Sequence, residues 1–174
     1  NLLSCFNNLM NQDSNGARMI WNTPYSQFVR GELTLGRTWI FGRNTGQAIA
    51  TRILAGAGYA YGNSTALPFE KHFYAGGSNS LRGWQTRTVG PGLSQMDDSF
   101  VIPNQTGDMK LEANIEYRFN MFWKVAGALF VDAGNIWNLR SSGEGDSDKS
   151  MFRWDTFGES IAANWGLGVR LDFS

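Results

Sequence analysis

The chain has 174 residues with fifteen basic and fifteen acidic side chains, so it lacks both the basic footprint of a nucleic-acid binder and an acidic tail. Hydrophobic residues make up 42% at a mean hydropathy of -0.30, and no run approaches the roughly 20 apolar residues of a membrane-crossing helix, which leaves crossing strands open. The single Cys5 and single His72 exclude an internal disulfide and an imidazole or thiolate cluster, so no metal and no other cofactor is expected.

The 12 Phe, 7 Trp and 5 Tyr, together with 21 Gly, suit strands, bulges and interfacial rings better than helices. The chain begins at Asn1 without an initiator Met and stops at Ser174 in mid-pattern, which reads as a piece of a longer protein.

In chain order, Leu2, Leu3, Phe6, Leu9 and Met10 recur at helical spacing before the polar run 11–16, so residues 1–25 read as an external loop with a short helix. From residue 26 to 41 the period becomes two, with Val29, Leu33, Leu35, Trp39 and Phe41 opposed to Arg30, Glu32, Thr34 and Thr38. The turn Gly-Arg-Asn-Thr-Gly at 42–46 reverses this strand, and a second follows over 47–61. Residues 62–107 show no sustained alternation and carry Pro68, Pro91 and Pro103, a glycine pair and an Arg-Gly step. Loops of this length are usually functional or disordered.

Alternation then resumes. Leu111, Ala113, Ile115, Tyr117 and Phe119 oppose Lys110, Glu112, Asn114, Glu116 and Arg118 in a strand at 108–119, and a turn at 120–123 leads to a fourth strand at 124–137. After the polar loop 138–155, a fifth strand at 158–174 sets Trp165, Leu167, Val169, Leu171 and Phe173 against Asn164, Gly166, Gly168, Arg170 and Asp172.

Period two alone fits a soluble sandwich as well as a membrane barrel. Three features favour the barrel: short turns alternate strictly with long loops, the strands are long enough to cross a bilayer at a tilt, and Tyr59, Tyr61, Tyr117, Phe119, Trp137 and Phe173 fall near strand ends as an interfacial girdle. About five long strands cannot close an up-and-down barrel that begins and ends on one side, so residues 26–174 read as an open part of an all-β transmembrane antiparallel barrel. From the residues alone, Arg82, Glu116 and Asp132 read as separate surface charges sooner than as one cluster. Glu112 shares the register of Glu116, and Asp132 could serve a local turn.

The ordered motifs FYAGGSNSLRGW at 73–84, VGPG at 89–92, LEANIEYRF at 111–119 and LFVDAGNIW at 129–137 resemble the C-terminal barrel half of the BamA/TamA superfamily of outer-membrane assembly factors, the bacterial surface-antigen family. The resemblance covers about residues 25–174. It implies a sixteen-stranded barrel in the bacterial outer membrane whose long loop, here 62–107, folds into the lumen.

Carried over by motif position, the loop motif comprises Gly76, Gly77, Leu81, Arg82, Gly83 and Trp84, and its partners are Glu116, Asp132 and Gly134. Arg82 would meet both carboxylates, Gly76 and Gly77 would allow a tight bend and Gly83 a close approach. Trp84 would pin the loop tip, and Gly134 would give the loop room to lie on its strand.

The function implied is assembly or insertion of outer-membrane proteins by strand addition at the barrel seam, with no catalytic residue and no nucleic acid. Partners would be outer-membrane lipid, client outer-membrane or secreted proteins, and periplasmic accessory modules or subunits. A two-partner secretion pore exporting one dedicated substrate, or a barrel carrying an upstream passenger enzyme, would share the motif.

Overall fold

The computed structural model describes residues 10–12, 18–20, 23–41, 46–94, 105–122, 124–140 and 147–171. Five long strands form one antiparallel sheet in sequence order: β4 (Gln27–Phe41), β5 (Gln47–Tyr61), β6 (Met109–Phe122), β7 (Val125–Trp137) and β8 (Ala162–Leu171). They are preceded by three short strands, β1 (Met10–Gln12), β2 (Arg18–Ile20) and β3 (Thr23–Pro24), which pair as a small separate antiparallel sheet.

The chain divides into two compact units, one of Asn1–Arg30 with Gly58–His72 and one of Gly31–Ala57 with Phe73–Ser174. Within the first, the Gln27 amide donates to Ser64 Oγ at 3.0 Å, and Leu67 packs over Gly58, where a Cβ would meet its Cδ1 at 2.7 Å. The second holds the candidate functional residues of the long loop and of β6 and β7.

The sheet of the second unit is inverted relative to a water-soluble one. Along β8 the apolar register is bare, with Trp165, Leu167 and Val169 at 73%, 71% and 72% exposure, while Asn164, Gly166 and Gly168 are partly covered. On β6 and β7 the same holds: Ile115, Leu129 and Val131 are exposed, whereas Glu112 and Asp132 are buried. An exposed apolar register repeated on three successive strands suits a hydrocarbon environment rather than water. The described apolar core lies on the opposite, polar side, where Phe73, Ala75, Leu81 and Val89 of the long loop pack on Ile136 with Ala162 beside them.

Several boundaries differ from the sequence reading, for local reasons. The helix expected near the N-terminus falls on residues 1–9, outside the described residues, and Met10 begins β1 instead. Strand β6 continues to Phe122 through a register shift between Asn120 and Phe122, which shortens the turn to β7. The last strand starts four residues later than its alternation suggested, because Phe157–Ser160 forms a helical turn closed by Ser160 N–H to Thr156 O at 3.0 Å. Trp137, expected in an interfacial girdle, is 1% exposed: Phe157 stacks on it at 5.6 Å, Phe152 meets it edge-on at 5.5 Å, and its indole N–H donates to Ser160 Oγ at 3.2 Å.

An apolar face in hydrocarbon predicts a steep penalty for charge. Leu167→Arg, near the middle of the exposed band, should destabilise the protein by about 2–4 kcal/mol in reversible unfolding from phospholipid bilayers. An unchanged unfolding midpoint would mean that this face does not contact lipid.

Candidate functional site

The long loop returns to the sheet through a narrow neck. Phe73 bridges to Gly107 and Ala75 to Val89, and the tip closes on itself with Gly77 N–H donating to Trp84 O at 2.8 Å and Trp84 N–H to Leu81 O at 3.1 Å. Gly76 and Gly77 take φ values of 99° and 95°, a region costly for residues with a Cβ. A Cβ at Gly76 would also strike the Gln85 backbone, so the bend needs both the freedom and the small size. At the tip, Leu81 is completely buried in the cluster of Phe73, Ala75, Val89 and Ile136.

Arg82 follows directly and lies over the polar register of β6 and β7. Its backbone N–H donates to Asp132 Oδ2 at 3.0 Å, its Nε to the same oxygen at 2.9 Å and its Nη2 to Asp132 Oδ1 at 2.7 Å. Its Nη1 bonds Glu116 Oε2, and Arg118 Nε donates to the other oxygen of Glu116 at 2.7 Å. The guanidinium carbon sits 3.7 Å from the centre of the Phe130 ring, a close cation–π stack. That ring lies across Gly166 of the next strand, where a Cβ would approach within 2.5 Å.

Register explains why these groups converge. Arg52, Asn114, Asp132 and Asn164 are successive cross-strand partners from β5 to β8, so their side chains form one row on the polar face. Asn114 Nδ2 donates to Asp132 Oδ1 and to Ser80 O, both at 2.8 Å, and its own Oδ1 accepts from Arg52 Nε at 2.9 Å. Arg52 Nη2 reaches on to Asn79 O at the loop tip, also at hydrogen-bond distance. A fully buried carboxylate would be costly if unpaired; Asp132 is instead saturated by the arginine fork and amide donors. Beside this row, a cavity of about 310 Å³ opens between Ser78–Ser80 and Arg52, Glu116 and Arg118.

Glu112, the alternative partner considered for Arg82, is engaged elsewhere. It is 1% exposed, accepts a hydrogen bond from Ser80 Oγ, and pairs with Lys110 Nζ at 2.9 Å. Lys110 also donates to Tyr74 O at 2.8 Å, and Gly76 N–H donates to Ser80 Oγ at 3.0 Å, so this pair grips the neck while Arg82 grips the tip.

Three further motif residues lie around this tip and along the ladder beneath it. Trp84 is 41% exposed, whereas Leu81, three residues before it, is completely buried at the tip. At Gly134 a Cβ would first meet β6, with Leu111 O at 2.5 Å and Glu112 Cγ at 3.0 Å. Gly83 approaches β8, with its virtual Cβ 2.7 Å from that of Asn164. Phe130, Asn114, Asn164, Ser80 and Lys110 are not among the site residues expected from the sequence, although the aromatic side chain at 130, between Ala128 and Asp132 in one register, is a visible signal.

A model of the Omp85 superfamily domain matches residues 15–174. The outer membrane protein assembly factor BamA of Neisseria meningitidis serogroup B (strain ATCC BAA-335 / MC58) is 27% identical over 129 residues, covering 71% of this chain and 16% of that protein. The chain therefore spans about a sixth of the length of this relative.

Arg82→Ala and Asp132→Ala should each cost about 3 kcal/mol, the lower end for breaking a buried pair because Arg82 remains a quarter exposed. A double-mutant cycle on the full-length protein should show strong coupling for this pair and weaker coupling for Arg82 with the more exposed Glu116. Strictly additive losses for both pairs would rule out the clasp.

At the same tip, Leu81→Ala should cost about 2–5 kcal/mol in denaturant unfolding, while Trp84→Ala should change it little. The reverse order would return the apolar anchor to Trp84.

Proposed function

The chain belongs to the Omp85 superfamily, and on that premise we propose that it is the C-terminal portion of the barrel of an outer-membrane protein assembly or insertion factor of the BamA/TamA type. Its place is the bacterial outer membrane, as part of a transmembrane antiparallel β-barrel. In this reading residues 26–174 are barrel, residues 1–25 lie outside, and the loop at 62–107 folds into the lumen. The observation that carries it is the joining of Arg82 to Asp132 and Glu116 on the polar face of an inverted sheet.

The mechanism follows from the mechanics of such a wall. A barrel that templates strands at a seam must open one edge without losing the curvature and register of the rest. The loop braces the wall: Arg82 ties β6 to β7, Gly83 rests on β8, and Arg52 extends the row to β5. Energy for insertion then comes from strand pairing and apolar burial in the client, helped by a locally thinned bilayer, with no catalytic step in the barrel. Client proteins and periplasmic modules of the longer protein are its partners in this reading.

Depleting the full-length protein and measuring the outer-membrane proteome tests the proposal. A broad fall in many barrel proteins is expected. Loss of one exported protein would instead identify a dedicated secretion pore, and an unchanged proteome would favour a barrel with a passenger domain.

A further inference from the structure

The outward register of the sheet carries one charge that the assembly reading leaves without a role. On β4 it runs Leu33, Leu35, Arg37, Trp39 and Phe41, all exposed. Among the described residues, the same register on β5, β6, β7 and β8 holds only apolar, glycine and uncharged polar residues. The charges of those four strands, Arg52, Glu112, Glu116 and Asp132 among them, lie in the opposite register. A guanidinium among lipid-facing side chains therefore breaks the pattern.

Register gives its height. Thr51 Oγ1 donates to Arg37 O at 3.3 Å, and Thr51 begins the cross-strand row Thr51, Ile115, Val131 and Trp165, whose last three side chains are exposed and apolar. Arg37 thus stands level with side chains that suit hydrocarbon, where a bare cation is costly, and the cost falls towards the interface. From Arg37 to the end of β4 at Phe41 is about 10 Å along the membrane normal, at about 3.3 Å per residue and a tilt of about 35–45°. The side chain bends in that direction: its guanidinium carbon lies 5.2 Å from the centre of the Trp39 ring, two residues nearer the strand end. A long cationic side chain reaching along apolar surface towards the boundary is snorkelling. The ring covers one face of the guanidinium, and among the described residues no acceptor meets its N–H donors.

We propose that Arg37 and Trp39 form a site for one glycerophospholipid, with the guanidinium donating to its phosphate oxygens and the indole ring lying against its glycerol and upper acyl chain. Charge complementarity and sidedness name the occupant. The planar donor fork of arginine matches a phosphate, the described strands offer no carboxylate in this register, and the face around the site is the one turned to hydrocarbon. The proposal rests on the lipid-facing reading of the sheet and not on assembly activity, so it can fail while client assembly stands.

The test is native mass spectrometry of the full-length protein in dodecyl maltoside micelles doped with dioleoylphosphatidylglycerol. Arg37→Leu continues the apolar register and so preserves folding, and it should weaken binding of the tightest-held lipid about tenfold or more, as expected for loss of a charge-assisted contact. Arg37→Lys, which keeps the charge without the planar fork, should fall between the two. Dioleoylglycerol, with the same chains and no phosphate, should not occupy the site, and millimolar inorganic phosphate should not displace the lipid. Unchanged affinity in Arg37→Leu would overturn the proposal, and so would equal binding of dioleoylglycerol. Displacement by inorganic phosphate would overturn it in favour of a free anion. A lower unfolding midpoint for Arg37→Leu in lipid-free micelles, with lipid affinity unchanged, would overturn it in favour of a carboxylate elsewhere in the longer protein.

Discussion

The arrangement depends on one electrostatic obligation, the fully buried carboxylate of Asp132 in the middle of a membrane-crossing strand. Left alone, such a group would carry a desolvation penalty of several kcal/mol. It is relieved from outside its own strand, by an arginine fork brought down on a loop that begins and ends on neighbouring strands. Register does the rest. Because Asn114 and Asn164 are the direct neighbours of Asp132 on either side, the donors that complete its coordination come with strand pairing itself. The loop and the wall are therefore parts of one polar network, and neither has its charges satisfied without the other.

Specificity and adhesion fall to different residues at the tip. Buried ion pairs contribute orientation more dependably than net stability, whereas burial of an aliphatic side chain contributes about 1.5–3 kcal/mol. Leu81, one residue before Arg82, supplies adhesion by filling the small core on Ile136, and Arg82 determines where on the wall that adhesion occurs. The second grip through Lys110, Glu112 and Ser80 holds the neck, so the loop is fixed at two points along β6. Gly76 and Gly77 allow the chain to turn sharply between them.

Much of the architecture was legible because period two is a property of single strands. The five strands, their order and the polar register containing Glu112, Glu116 and Asp132 could all be read directly, as could the long loop. What alternation cannot convey is which loop atom lies above which strand residue. It could not choose between Glu112 and Glu116, which share one face, and that choice depends on the height at which Ser80 and Arg82 land. Nor does alternation mark Leu81 as the fully buried side chain of the tip, and at Trp137 it misses the later segment that folds back to cover a strand end. The crowding of Gly134 by Glu112 across the ladder is likewise a cross-strand fact, absent from any single segment.

The inverted sheet changes what the folded state consists of. With Trp165, Leu167 and Val169 turned outward, the wall has no favourable state in water, and its solvent on that face is a liquid of finite thickness. Thermodynamically the bilayer enters like a bound ligand, favouring the folded wall according to how well its hydrocarbon depth and composition match the apolar belt. The free energy of this fold is therefore a joint quantity of polypeptide and lipid, so the same chain has different stabilities in membranes of different thickness.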